Sequence, residues 1–157
     1  MDTIKRADFE KALVTLLDET FDSVKGYYLD GGTSLFETLA GISAAEASIP
    51  VGGKCATLAA QVKHVAFYLY VTEKSVTEPD FPGVDWGEIW RTVSHVTPDE
   101  WQAIQGELRI NYNRILDLIK EWPAWKDESE IAGTMAVIVH TAYHLGEIRQ
   151  ALCTLKP

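Results

Sequence analysis

Along four long stretches of this chain, apolar residues recur at intervals of three and four, the spacing that lines one side of an α-helix. No stretch between them reads convincingly as a strand. The first runs from about Asp8 to Lys25, with Phe9, Leu13, Leu16, Leu17, Phe21 and Val24 at helical spacing and Gly26 as its stop. The second runs from about Cys55 to Glu73, behind the turn Val51-Gly52-Gly53. Its clearest stripe is Leu58, Val62, Val65 and Leu69, but it is apolar over much of its circumference, so periodicity alone does not aim His64. The third opens on Thr97 as N-cap, with Pro98 at the first helical position and Glu100 at the third. Trp101, Ile104, Leu108, Tyr112, Ile115, Ile119 and Trp122 then line one side until Pro123 ends it. The fourth starts near Ser129 and runs close to the C-terminus.

Two further signatures lie between the first and second stretches. Ser34 with Glu37, and Ser43 with Glu46, have the spacing at which a hydroxyl and a carboxylate reciprocally satisfy free amides at a helix start. They predict two short helices, broken at Gly41 and ended before Pro50. Four long helices in a chain of 157 residues predict one all-α domain, a four-helix bundle, with Leu16, Leu69, Leu108, Ile115 and Val137 largely buried. The connection from Lys74 to Val96 is rich in Pro and Trp and long enough to return the chain along a whole bundle. The second and third long helices can therefore run parallel.

Composition narrows the partners. A formal net charge of −9, with no cluster of Lys and Arg to reverse it locally, repels phosphate backbones, so nucleic acid is not an expected partner. Charges scattered through the first residues interrupt any signal-peptide core, and no apolar run reaches membrane-spanning length. Cys55 and Cys153 have no CxxC spacing and are expected to be free thiols in a reducing, cytoplasmic setting, with one disulfide between them as the alternative.

The fourth helix contains the chemistry. One apolar stripe is Ile131, Met135, Ile138, Ala142, Leu145 and Leu152; a second, read as lying on the opposite side, is Gly133, Val137, His140, His144, Ile148, Ala151 and Leu155. A helix with two apolar faces needs two surfaces to pack on, its own bundle and a partner subunit, so a homodimer is expected through this helix or the segment near Trp86 and Trp90. Both histidines occupy positions of the buried kind. Each could be a core histidine bonded to a carbonyl or carboxylate. At i and i+4, however, both Nε2 atoms can converge on one point beside the helix, where a divalent metal ion would satisfy two lone pairs at once.

The surrounding residues exclude two metal chemistries. No Glu lies between the histidines in the HExxH arrangement, and none stands three residues before a His as in ferritin-like di-iron sites. Glu147 shares a side with His140, but seven residues of helix rise about 10.5 Å, too far for an easy shared ligand shell. It reads as a solvated or salt-bridged carboxylate, with support of a ligand as the alternative. A third ligand then comes from His64 or His95. His95 falls in the loop segment before Thr97, whereas His64 lies on a helix able to face the fourth. Three imidazoles leave coordination positions open, the catalytic pattern, and suit Zn, Ni, Fe or Cu alike.

The segments QVKHVAFYL around His64 and VIVHTAYHLGEIRQAL around His140 and His144 resemble the DinB-like, or YfiT-like, four-helix-bundle metalloenzymes. The lead-in TSLFETLAGISAAEASIPVGG and the stretches DWGEIW and DEWQAIQGELR extend the likeness over nearly the whole chain. The resemblance implies up-down-down-up topology, a frequent homodimer, and a three-histidine divalent-metal site at His64, His140 and His144. It also implies low-molecular-weight thiol transferase or isomerase chemistry on small molecules, although many members have no known activity. The expected function is therefore a metal-dependent thiol S-transferase, with Gln61, one turn before His64, and Tyr68, one turn after it, as candidates to orient substrate. Packing is the competing explanation for both. A metal-dependent hydrolase is the near variant, and a non-catalytic, metal-stabilised, dimeric ligand-binding protein the alternative.

Overall fold

The structure is a computed structural model describing residues 4–50 and 55–155. The expected Val51-Gly52-Gly53 turn lies outside the described residues. Among them are seven helices: α1 (Arg6–Phe21), α2 (Leu35–Leu39), α3 (Ala44–Ala47), α4 (Leu58–Thr77), α5 (Glu88–Thr92), α6 (Pro98–Glu121) and α7 (Glu128–Leu155). No strand forms among the described residues, and an isolated antiparallel bridge joins Pro50 to Thr57. The all-α expectation, with four long helices, holds.

The helix starts follow the capping chemistry. Glu37 accepts from the Ser34 amide at 3.1 Å, Glu46 from the Ser43 amide at 2.7 Å, and Glu100 from the Thr97 amide at 2.8 Å. The second long helix begins three residues later than expected. Thr57 caps it by accepting from the Ala60 amide at 3.2 Å, with no acidic residue at the third position to advertise the cap. It also runs on past Glu73 to Thr77.

The first long helix stops at Phe21 rather than Lys25, and the cause is a buried carboxylate. Glu19, with 0% of its surface exposed, accepts from the amides of Tyr28 and Leu29 at 2.8 Å, Tyr27 at 3.0 Å and Lys25 at 3.3 Å. Those amides close around Glu19 instead of extending the helix, and Gly26 takes the left-handed conformation the loop needs, φ 86°. The Tyr28 hydroxyl then donates to Thr20 Oγ1 at 2.6 Å.

Each of α1 and α4 packs against both α6 and α7. Leu13, Leu17 and Phe21 of α1, Leu58, Val62, Val65 and Leu69 of α4, and Trp101, Leu108, Tyr112 and Ile115 of α6 fill the shared core. Leu69, Leu108, Ile115 and Val137 are buried as expected; Leu16 is only partly so, because it sits beside the Leu13–Leu17–Phe21 line that faces inward. Inside this apolar seam the Asn111 amide nitrogen donates to the Ala66 carbonyl at 3.0 Å and fixes α6 against α4.

The fourth long helix corrects the two-faced reading. At 100° per residue the centres of its two stripes lie about 130° apart, not opposite. They form the flanks of one broad buried face containing Val137, Ile138, Thr141, His144, Leu145 and Ile148. Neighbours on both sides explain the width, since α4 takes the flank with the histidines and α1 the other. Met135, Val139 and Tyr143 remain exposed on the far side. Among the described residues no helix is long and apolar enough to cross a membrane, and Cys55 and Cys153 are free and exposed.

Burial pushes the Glu19 carboxyl upward, but its backbone donors outweigh that, and the net result lies below the usual carboxylate range. A depressed folded value gives stability that is complete above the unfolded value of 4.5 and disappears as pH falls through the folded one. Glu19→Gln is therefore expected to cost about 2 kcal/mol at neutral pH. The gap to the wild-type protein should shrink at acid pH in urea unfolding; a gap independent of pH would contradict this account.

Candidate metal centre

Three imidazoles meet where α4 crosses α7. His64 comes from the middle of α4, and His140 and His144 from successive turns of α7. Their ring centroids are 4.6–5.1 Å apart, and one ring nitrogen from each lies within 4.8 Å of the others. An ion bound tetrahedrally at about 2.0–2.1 Å places its nitrogen ligands roughly 3.3 Å from one another. Nε2 of His64 and Nε2 of His140 stand 3.2 Å apart.

The third histidine has its tautomer fixed from behind. His144 Nδ1 lies 2.7 Å from Gln61 Oε1 and 2.9 Å from Glu147 Oε2. A carboxylate only accepts, so Nδ1 carries the proton and the Nε2 lone pair is left for the cluster. Gln61 sits one turn before His64, so one side chain of α4 braces a ring of α7 beside the ring that α4 itself contributes. Glu147 serves His144, three residues before it, rather than His140. The i,i+3 spacing from His144, not the i,i+7 spacing from His140, is the one that brings Glu147 to a ring of the cluster.

Burial sets the charge. Loss of hydration is the largest influence on each ring, reinforced for His64 and His140 by repulsion from His144; both fall to about 4, and His144 is also lowered. All three are therefore neutral at pH 7, the form that offers lone pairs to a metal. His64 Nδ1 and His140 Nδ1 are buried with no hydrogen-bond partner among the described residues. The 3.2 Å approach of the two Nε2 atoms is a ring-to-ring hydrogen bond in one pair of tautomers and two lone pairs turned on a shared ion in another. The donor set, its spacing and its protonation fit a divalent ion held by His64, His140 and His144.

Aromatic rings enclose the cluster. Tyr68 stacks on His140 with centroids 3.7 Å apart and planes at 16°, and Trp90 lies over His64 at 4.5 Å. Trp86 is 6.4 Å from His64, and Tyr143 stands edge-on to His144 at 5.1 Å. The tryptophans belong to the long connection: buried Ile89 anchors α5 and lays Trp90 across the histidines. Trp86 and Trp90, expected near a subunit interface, lie beside the histidines, a placement that their spacing does not signal because Trp86 falls outside α5. Tyr143, whose hydroxyl is hydrogen bonded with Glu147, carried no signal of its own. His95 is exposed ahead of α6, away from the cluster.

Comparison of the chain with protein-family models, with curated proteins and with solved structures finds no significant match.

His140→Ala is expected to abolish tight binding of zinc or cobalt, and His95→Ala to leave it intact. Gln61→Ala with Glu147→Ala should weaken it roughly 10- to 100-fold by freeing the His144 ring. Calorimetric titration of metal-free protein measures all of these; equal affinities for His140→Ala and His95→Ala would return the three rings to ordinary core histidines.

Proposed function

We propose that this protein is a DinB-like bundle of up-down-down-up topology whose three histidines hold a divalent metal ion, and that the centre catalyses transfer to or from a low-molecular-weight thiol. One observation carries the reading: the bonds from Gln61 and Glu147 to His144 Nδ1 turn a third neutral lone pair toward the His64–His140 pair. The alternating packing of α1 and α4 on α6 and α7 supports the topology, as does the long connection that brings α5 back past α4.

A divalent ion supplies Lewis acidity, which lets a thiol lose its proton near neutral pH without a protein base. The chain's own residues do the rest. The three imidazoles contribute no charge, so they leave the ion's positive charge undiminished. Gln61 and Glu147 keep His144 aimed, and the Tyr68 and Trp90 rings exclude water from two sides of the cluster. Tyr68 and Trp90 thereby stand where a small substrate would meet the centre. A homodimer belongs to the same reading, supported by the apolar side chains that α7 leaves exposed at Met135 and Val139.

The test is metal content followed by thiol chemistry. Protein purified without added metal should carry one divalent ion per chain. When loaded, it should accelerate alkylation of a small thiol such as cysteine, and both chelation and His140→Ala should remove that acceleration. Stoichiometric metal with no effect on any thiol would favour the hydrolase or non-catalytic alternatives. Absence of metal would sink the centre itself. Light scattering at micromolar concentration tests the dimer.

A further inference from the structure

Beyond Tyr68 the structure holds a cavity of about 380 Å³, bounded by the C-terminal half of α4, the end of α6 and the start of α7. That volume lies in the range of small-molecule sites, roughly 300–1,000 Å³. Ile115, Ile119, Trp122 and Val137 supply apolar wall. The polar side chains around it are largely engaged with one another. Trp125 Nε1 donates to Thr134 Oγ1 at 3.0 Å, and the Thr134 hydroxyl donates to the Glu130 carbonyl at 2.9 Å. Glu130 Oε2 accepts from the Lys126 amide at 2.8 Å, and Thr72 is hydrogen bonded with the Tyr68 hydroxyl. A ligand entering here finds shape and apolar surface, with few unspent hydrogen bonds and no unpaired cation.

The cavity ends one aromatic ring from the histidines. Tyr68 lines it and also stacks on His140 at 3.7 Å; Val137, one turn before His140, lines it too. The third wall is partly missing because residue 133 is glycine. A Cβ there would meet nothing within 4 Å, and its backbone is ordinary helix, so neither crowding nor conformation requires a glycine. Glycine inside a helix costs about 1 kcal/mol relative to alanine. Gly133 is exposed on the cavity lining, so a side chain added there has room, as it would at Gly106 and Gly146 in the helices.

We infer that the cavity binds the apolar part, of aromatic-ring size and uncharged, of the substrate on which the metal centre acts, with the Tyr68 ring as the divider between the two. This rests on the metal-centre reading above and assigns the class of molecule: a compact amphipathic compound with a reactive polar end toward the histidines and a ring or branched alkyl end in the cavity. Tyr68 becomes the residue that sets which shapes reach the centre.

Cobalt-loaded protein titrated with 1-naphthol tests the assignment, followed by calorimetry and by the visible absorption of the cobalt ion. Wild-type protein should bind the probe, and binding should perturb the cobalt spectrum, because the ring that lines the cavity rests on His140. Gly133→Leu fills the cavity from a position with room for a side chain, and Val76→Trp fills it from its exposed rim. Each should weaken naphthol binding at least tenfold and leave cobalt affinity unchanged. Unaltered naphthol affinity in both variants, no binding to cobalt-loaded wild type, or binding with no spectral change would overturn the inference while leaving the metal centre standing. Failure of wild-type protein to take up cobalt would instead remove the centre, and the substrate assignment with it.

Discussion

The structure depends on α4 being gripped on both sides at once. Ala59, Ala60 and Ala66 are fully or almost fully buried on it, and residues this small let neighbouring backbones approach closely. α6 takes one side, where Asn111 binds the Ala66 carbonyl, and α7 takes the other, where Gln61 meets His144. A hydrogen bond inside a dry seam tolerates little displacement, because sliding would leave Asn111 or Ala66 unpaired. The two bonds lie little more than a helical turn apart on α4, and His64 sits between them. The position of His64 is therefore determined more tightly than apolar packing alone would determine it.

The same principle recurs at other buried polar groups of this protein. Glu19 is compensated completely by backbone donors, and what results is a loop wrapped around a carboxylate and an end to α1. Asn111 is compensated by one carbonyl and gives register. The histidine cluster is compensated only in part. His144 Nδ1 has two acceptors, whereas His64 Nδ1 and His140 Nδ1 have none among the described residues, and the facing Nε2 atoms stand at hydrogen-bonding distance, 3.2 Å. Glu73 Oε2, the Tyr112 hydroxyl and Thr141 Oγ1 are also buried without a hydrogen-bond partner among the described residues, so what sets the histidines apart is that a ring nitrogen from each of the three converges on one point.

How much of this was legible in the sequence depended on range. Local chemistry read through: the caps at Ser34, Ser43 and Thr97 and the inward line of α6 from Trp101 to Ile119 are consequences of spacing along one element. So was the convergence of His140 and His144, one turn apart. The features missed involve partners far apart in the chain or spacings without a distinctive residue. Glu19 looks like any helical glutamate until amides 6–10 residues later close on it. Thr57 caps α4 without an acidic companion, so its signal was weak. The α7 stripes looked like two faces because nothing in one helix reveals that its neighbours flank it on both sides. Trp90 lies over His64 only because the connection folds back, which no periodicity encodes.

Charge supplies the last step. The chain carries a formal charge of −9, yet the three residues that meet at the centre are neutral, and the carboxylate nearest in their interactions, Glu147, stands behind a ring rather than in the cluster. Those choices act at different distances. The diffuse negative field concentrates cations near the surface without selecting among them. Neutral ligands then leave a bound ion's charge unspent, whereas carboxylate ligands would neutralise it and weaken its pull on a substrate atom. Glu147 strengthens His144 as a donor through the ring without cancelling that charge directly. An arrangement serving only to cross-link α4 and α7 would gain from placing a carboxylate at the centre itself. If an ion is held as proposed, a carboxylate kept one ring away would leave more of the ion's charge for a substrate atom, and that is the physical argument for the catalytic reading over the merely stabilising one.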